Sequence, residues 1–190
     1  MFTFPPIPSW DAVHPLIIHF PIALLLVAPV LLLLGILLRK QSRGLLIAAL
    51  VVMALGTIAT YFAVATGEAA GELAERTPGV AAVLERHEEL AQTTRAIFTA
   101  LTIGFAAILF VPSILKRGLG RKSTAVVNLA FLVLYAGGAL VLANVAHQGG
   151  RLVHEYGVHA MMTTGTGSAP AQGTESKEAR QKDSDREKEK

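Results

Sequence analysis

The sequence predicts an all-α membrane protein: four transmembrane helices, a short amphipathic helix between the second and third, and a disordered C-terminal tail. Three observations predict it. Four segments of 20 to 24 residues contain no Asp, Glu, Lys or Arg. Only 16% of residues are charged and 52% are hydrophobic, whereas about 25% charged is usual in soluble domains. Two short links carry seven bases and no acid, and all the acids lie on the opposite side of the runs.

The uncharged runs are Leu16 to Leu38, Gly44 to Thr66, Ala96 to Leu115 and Thr124 to His147, nearly half the chain. Each reaches the roughly 20 residues needed to cross a hydrocarbon layer of about 30 Å. In lipid the backbone must satisfy its own hydrogen bonds, so the runs are helices. The expected organisation is an interfacial N-terminal segment (1–15), a four-helix transmembrane domain (16–162) and a charged tail (163–190).

The N-terminal segment has no Lys or Arg, so it lacks the positive region of a signal peptide. Phe2, Phe4 and Trp10 are suited to anchor it at the membrane interface. The link between helices 1 and 2 carries Arg39, Lys40 and Arg43 and no acid. The link between helices 3 and 4 carries Lys116, Arg117, Arg121 and Lys122, again without an acid. Short basic loops stay in the cytoplasm. The expected location is therefore the bacterial inner membrane, with both termini and the link from Gly67 to Arg95 outside, in the periplasm.

Within that link, Val80, Val83, Leu84, His87, Leu90 and Ala91 recur at three- and four-residue intervals. They form one apolar stripe, with Glu85, Glu88, Glu89 and Gln92 away from it. This helix either lies on the outer surface or extends helix 3 outward. Glu68, Glu72 and Glu75 share a face if helix 2 continues outward, most simply as a solvated face. Helix 4 is expected to end near Gly149–Gly150. From about Thr163 the chain turns to small and polar residues, too poor in apolar surface to order itself.

All six histidines, His14, His19, His87, His147, His154 and His159, fall on the outer side of this topology. His14 and His19 are five residues apart, about 140° on a helix, so both cannot face one point. His19 lies just inside the apolar run, where ionisable groups usually face a bundle interior. His87 sits in an apolar stripe and is expected to face the bundle. His147 and His154 are two turns apart on one face if the glycine pair between them does not break the helix.

Two imidazoles from different helices can clamp a haem iron, and bundles commonly hold cofactors between helices. The candidate cofactor-binding residues are His19, His87, His147, His14 and Arg151, with His19, His87 and His147 the candidate ligands of haem iron or of another cation. Arg151 is suited to an acid of the middle link or a haem propionate. Gly56, Gly104, Gly137 and Gly138 offer room either for a flat macrocycle or for close helix packing. A periplasm-facing metal site of histidines with carboxylates is an alternative. A histidine proton relay is another. So is a non-catalytic scaffold or accessory subunit with hydrogen-bonded histidines.

Several classes are excluded. The chain has no cysteine, hence no disulfide, thiolate site or covalently attached c-type haem. It has no G-x-S-x-G, P-loop or H-E-x-x-H motif, which argues against an enzyme. Nucleic acid has no foothold, because the net charge of +3 comes from turns beside the membrane. The expected partners are the bilayer and a redox or membrane protein.

Three stretches carry a resemblance: His14-Pro15-Leu16-Ile17-Ile18-His19-Phe20-Pro21-Ile22, Arg86-His87-Glu88, and Gly149-Gly150-Arg151-Leu152-Val153 with Tyr156-Gly157-Val158. Together they are similar to the bacterial membrane proteins grouped as domain of unknown function 2231, over roughly Asp11 to His159. The resemblance implies a four-helix integral membrane protein. The resemblance, to a family whose members are sometimes joined to cytochrome c-like modules, implies haem and electron transfer; a b-type haem or other redox subunit is the first functional expectation. The chain departs from the pattern at His159, where the resemblance implies a glycine after Val158.

Overall fold

The computed structural model describes residues 9–10, 12–38, 40–74, 77–116 and 120–158. Phe2, Phe4, Glu75, His159 and the tail from Thr163 lie outside them. The described residues are helical with short turns and contain no strand. The helices are α1 (His14–Ile17), α2 (His19–Leu37), α3 (Ser42–Leu73), α4 (Pro78–Ile114) and α5 (Arg121–His154).

α1 and α2 form one spanning unit broken at Ile18. Pro21 has no N–H for the carbonyl of Ile17, and the next bond, Ile22 N–H to Ile18 O, is stretched to 3.4 Å. This unit, α3, α4 and α5 are each long and apolar enough to cross a membrane.

The buried positions of α2 are Pro21, Leu25, Ala28, Leu32 and Gly35. Those of α3 include Leu46, Ala49, Met53, Gly56, Thr60 and Val64. α4 buries Thr94, Phe98, Leu101 and Phe105, and α5 buries Asn128, Phe131, Tyr135 and Leu142. These residues recur at steps of three, four or seven, the spacing of one helix face. α2 packs on α3, α3 on α4, α4 on α5 and α5 back on α2, closing a ring. Phe105 stacks on Phe131 at 4.8 Å between centroids, and Phe98 meets Tyr135 edge-on at 5.4 Å.

Close approach falls where the glycines are. A Cβ on Gly56 would lie 2.8 Å from Leu25, one on Gly35 2.9 Å from Leu46, and one on Gly138 3.0 Å from Leu101. Leucine therefore fills the space at Gly56 and Gly138 that a macrocycle would need. Gly104 and Gly137 meet nothing within 4 Å. In this chain the glycines at Gly56 and Gly138 serve helix packing.

Proline leaves a second mark inside α2. Pro29 has no N–H to offer the carbonyl of Leu25 one turn earlier. The buried Tyr135 hydroxyl donates to that carbonyl at 2.7 Å. A tyrosine on α5 thus satisfies an acceptor exposed by a proline on α2.

The two basic turns lie at one end of the bundle, with Lys40, Arg43, Lys116 and Lys122 exposed. At the opposite end, α3 and α4 outrun their uncharged runs. α3 continues through Glu68 and Glu72, and α4 starts at Pro78. The amphipathic segment is thus the first half of α4, continuous with the third spanning helix, because nothing between Arg86 and Ala96 breaks a helix. α5 also runs past Gly149–Gly150 to His154, two turns beyond Ala146 and further than the glycine pair suggested. A glycine pair weakens a helix by about 2 kcal/mol relative to alanine but does not stop one that packs on a neighbour. A small second core of Val80, Val83, Leu84 and Leu152, with Ala74 and Val158 against it, closes this end.

Candidate functional site: the histidine end

Two histidines enter the bundle at this end. His14 opens α1, where Pro15 occupies a first-turn position that needs no N–H donor. Its Nδ1 lies 3.1 Å from Thr66 Oγ1 on α3, and the ring edge is so close to Gly67 that a Cβ there would sit 2.9 Å from Cε1. His87 sits in the inward stripe of α4. Its Nδ1 lies 3.0 Å from the carbonyl of Val145 on α5, and a Cβ on Gly149 would meet its Cε1 at 3.1 Å. Each ring therefore lies on a glycine of a neighbouring helix and is tied to that helix by Nδ1.

The hydrogen-bond partners fix the tautomers. A carbonyl only accepts, so His87 Nδ1 carries the proton that binds Val145. Thr66 Oγ1 has one proton and contacts two acceptors, the carbonyls of Phe62 (2.9 Å) and Ala63 (3.1 Å). That proton points back along α3, so His14 Nδ1 is the donor to Oγ1. A neutral ring that donates from Nδ1 carries its lone pair on Nε2.

His19 and His147 do not join this pair; both side chains are exposed. His19 is two residues from the buried Pro21, about 200° around the helix from the face that meets α3. His147 stands in the same relation to Gly149, which faces His87. The two histidines with rings held against a neighbouring helix are His14, held on α3, and His87, held on α5, whereas His19 and His147 are exposed. Among the described residues no group of three or more His, Asp or Glu side chains is placed to hold a metal ion. His154 is also exposed.

Arg151 pairs along its own helix. Its Nε lies 2.9 Å from Glu155 Oε2, and one terminal nitrogen donates to Gln148 Oε1 at 3.2 Å. The partner expected from the middle link is replaced by Glu155, one turn away, the nearest carboxylate in sequence. Glu68 accepts from Gln92 Nε2 at 3.2 Å and Arg86 pairs with Glu89, all exposed. Glu88 is half-buried, with its carboxylate against Gly71.

Sequence reasoning missed Thr66, Gly67 and Thr94. Thr66 and Gly67 stand where an uncharged run gives way to charged helix, a hint that a small polar pair meets something there. Thr94 is 3% exposed, and its hydroxyl has no hydrogen-bond partner among the described residues. Gly157 takes a left-handed conformation (φ 66°) open to glycine, so that Val158 N–H returns to Leu152 O at 2.9 Å and its side chain packs on the second core.

Four apolar helices in a closed ring, with charges confined to the two ends, define a multi-pass integral membrane protein. The chain belongs to the family described as a predicted membrane protein, domain of unknown function 2231, whose model matches residues 10–162. No curated protein and no solved structure matches it.

Proposed function

We propose that the protein is a b-type haem-binding, electron-transfer subunit of the bacterial inner membrane, with its histidine end in the periplasm and His14 and His87 as the iron ligands. One observation carries the reading. Both rings spend Nδ1 on a fixed acceptor of a neighbouring helix, which leaves Nε2 of each unprotonated in the neutral ring. Metal-ligating histidines are commonly oriented this way, the second ring nitrogen donating to a carbonyl or a similar acceptor. The donor set suits the group: two imidazoles are the donors that would hold a haem iron, whereas a structural zinc site takes four ligands.

A bound haem would supply one-electron chemistry. The chain's own residues would hold the ligands still: Thr66 and the Val145 carbonyl orient the rings, and Gly67 and Gly149 admit them. The basic turns at the opposite end support the orientation. The natural partner of such a subunit is a redox protein at the same membrane face. The test is a reduced-minus-oxidised absorption spectrum of the purified protein with its iron content. About one iron per chain and a b-type spectrum are expected; protein free of iron after expression with ample haem would end this reading.

A second reading has its own observation. The same contacts tie α1 to α3 and α4 to α5, so the histidines serve a non-catalytic scaffold as clasps between helices. On that reading His87→Ala lowers the melting temperature and leaves no spectral change to find.

A further inference from the structure

Arg95 stands apart from two other arginines at the histidine end. Arg86 pairs with Glu89 and Arg151 with Glu155, each on its own helix. Arg95 has no such neighbour, because the residues three and four away are Ala91, Gln92, Phe98 and Thr99. Glu68, on the facing stretch of α3, accepts from Gln92 instead. The Arg95 guanidinium lies over the ring of Tyr61, 5.3 Å from its centre. Among the described residues none of its N–H groups has an acceptor. The ring contact occupies a face of the planar group and leaves the N–H edge free. Tyr61 is itself fixed, its hydroxyl 3.0 Å from Thr99 Oγ1 across the α3–α4 contact.

The surroundings of this unpaired cation turn apolar at once. Arg95 is half-buried, and the uncharged run of α4 begins at Ala96. Deeper in the membrane than Tyr61, α3 presents Ile58 and Val51, and α4 presents Ile103, all three more than half exposed. Tyr61, Ile58 and Val51 recur at steps of three and seven and share one helix face. From Tyr61 to Val51 the axis descends about 15 Å at 1.5 Å per residue, half of a hydrocarbon layer of about 30 Å. The α3–α4 face thus carries a cation at the depth of the lipid headgroups and an apolar strip one leaflet deep beneath it.

We propose that Arg95 and Tyr61 head a seat for one phospholipid of the leaflet at the histidine end, its phosphate on the free edge of Arg95 and an acyl chain along Ile58, Val51 and Ile103. Guanidinium and phosphate match in charge and in geometry, two parallel N–H groups meeting two oxygens. A free phosphate would use the cation alone, whereas a phospholipid also covers the apolar strip. The seat involves neither His14 nor His87 and stands independently of the haem reading.

The test uses the full chain, stripped of lipid in detergent and titrated with phosphatidylglycerol, with diacylglycerol of the same chains, and with inorganic phosphate. Bound lipid is counted by native mass spectrometry in the wild type, Arg95→Gln and Arg86→Gln. One phosphatidylglycerol per chain is expected in the wild type and in Arg86→Gln. Its affinity should fall about tenfold in Arg95→Gln, the size of a lost charge-assisted hydrogen bond. Diacylglycerol and inorganic phosphate should bind far more weakly. Equal affinity in Arg95→Gln overturns the proposal, since the lipid would then be held by the apolar surface alone. Equal binding of diacylglycerol and phosphatidylglycerol by the wild type overturns it without recourse to any variant, and so does binding of inorganic phosphate as tight as that of the lipid.

Discussion

An imidazole lies on a glycine twice at the histidine end, and each contact decides what its residue can do. Gly67 and Gly149 are needed because a methyl group would press on the ring of His14 or His87. A Cβ at Gly149→Ala would lie 3.1 Å from His87 Cε1, so the ring bonded to the Val145 carbonyl must give by a few tenths of an ångström. Overpacking of this kind costs about 1–3 kcal/mol. Thermal unfolding in detergent is expected to show that loss for Gly149→Ala and Gly67→Ala, and almost none for Gly137→Ala, where nothing lies within 4 Å. Equal effects at all three glycines would contradict the ring-on-glycine contacts. His19 and His147 supply the matching controls: exposed and without a cross-helix bond, they should tolerate alanine with melting temperatures near the wild type. At this scale the sequence was only partly legible. The 140° between His14 and His19 already required one to face away, but only packing of α1 on α3 decides which. The partners of the inward pair, a threonine hydroxyl and a main-chain carbonyl, leave no pattern in a sequence.

Among elements, α2 and α5 carry the most specific polar contact in the core. Tyr135→Phe removes the donor to the Leu25 carbonyl that Pro29 leaves open. A hydrogen bond inside a membrane bundle is worth about 0.6 kcal/mol on average and at most about 1.7 kcal/mol. The expected cost of Tyr135→Phe is of that size in the wild type. In a Pro29→Ala background the restored N–H of residue 29 can serve Leu25, so the cost should fall towards zero. A double-mutant cycle measures the coupling; additive effects would show that the tyrosine bonds for some other reason. The four spanning helices themselves were legible because uninterrupted apolar runs are set by the bilayer and not by a partner. Their true lengths were not. The helices α3, α4 and α5 continue past the apolar runs on charged or glycine-containing turns that pack at the histidine end, where tertiary contact overrides local composition.

For the whole molecule, the two basic turns set the predicted orientation. The chain has no cysteine, so single cysteines report topology without a background. Gln41→Cys, beside Lys40, is expected to resist a membrane-impermeant maleimide on intact spheroplasts and to react after the membrane is opened. Thr77→Cys, beside the start of α4, should react at once. The reverse pattern would invert the orientation and place the histidine pair in the cytoplasm. The fold class and the charge asymmetry belong to this scale, which is why both could be read before any packing was known. α3 packs against both α1 and α4, so a site made from His14 and His87 needs the complete bundle.

Haemin titration of the purified protein, run in parallel on His14→Ala, His87→Ala, His19→Ala and His147→Ala, tests the central claim most directly. The account predicts a Soret band that saturates at one haemin per chain. The band should be shifted or lost in His14→Ala and His87→Ala and unchanged in His19→Ala and His147→Ala. No saturable band, or one that survives removal of both His14 and His87, would contradict it.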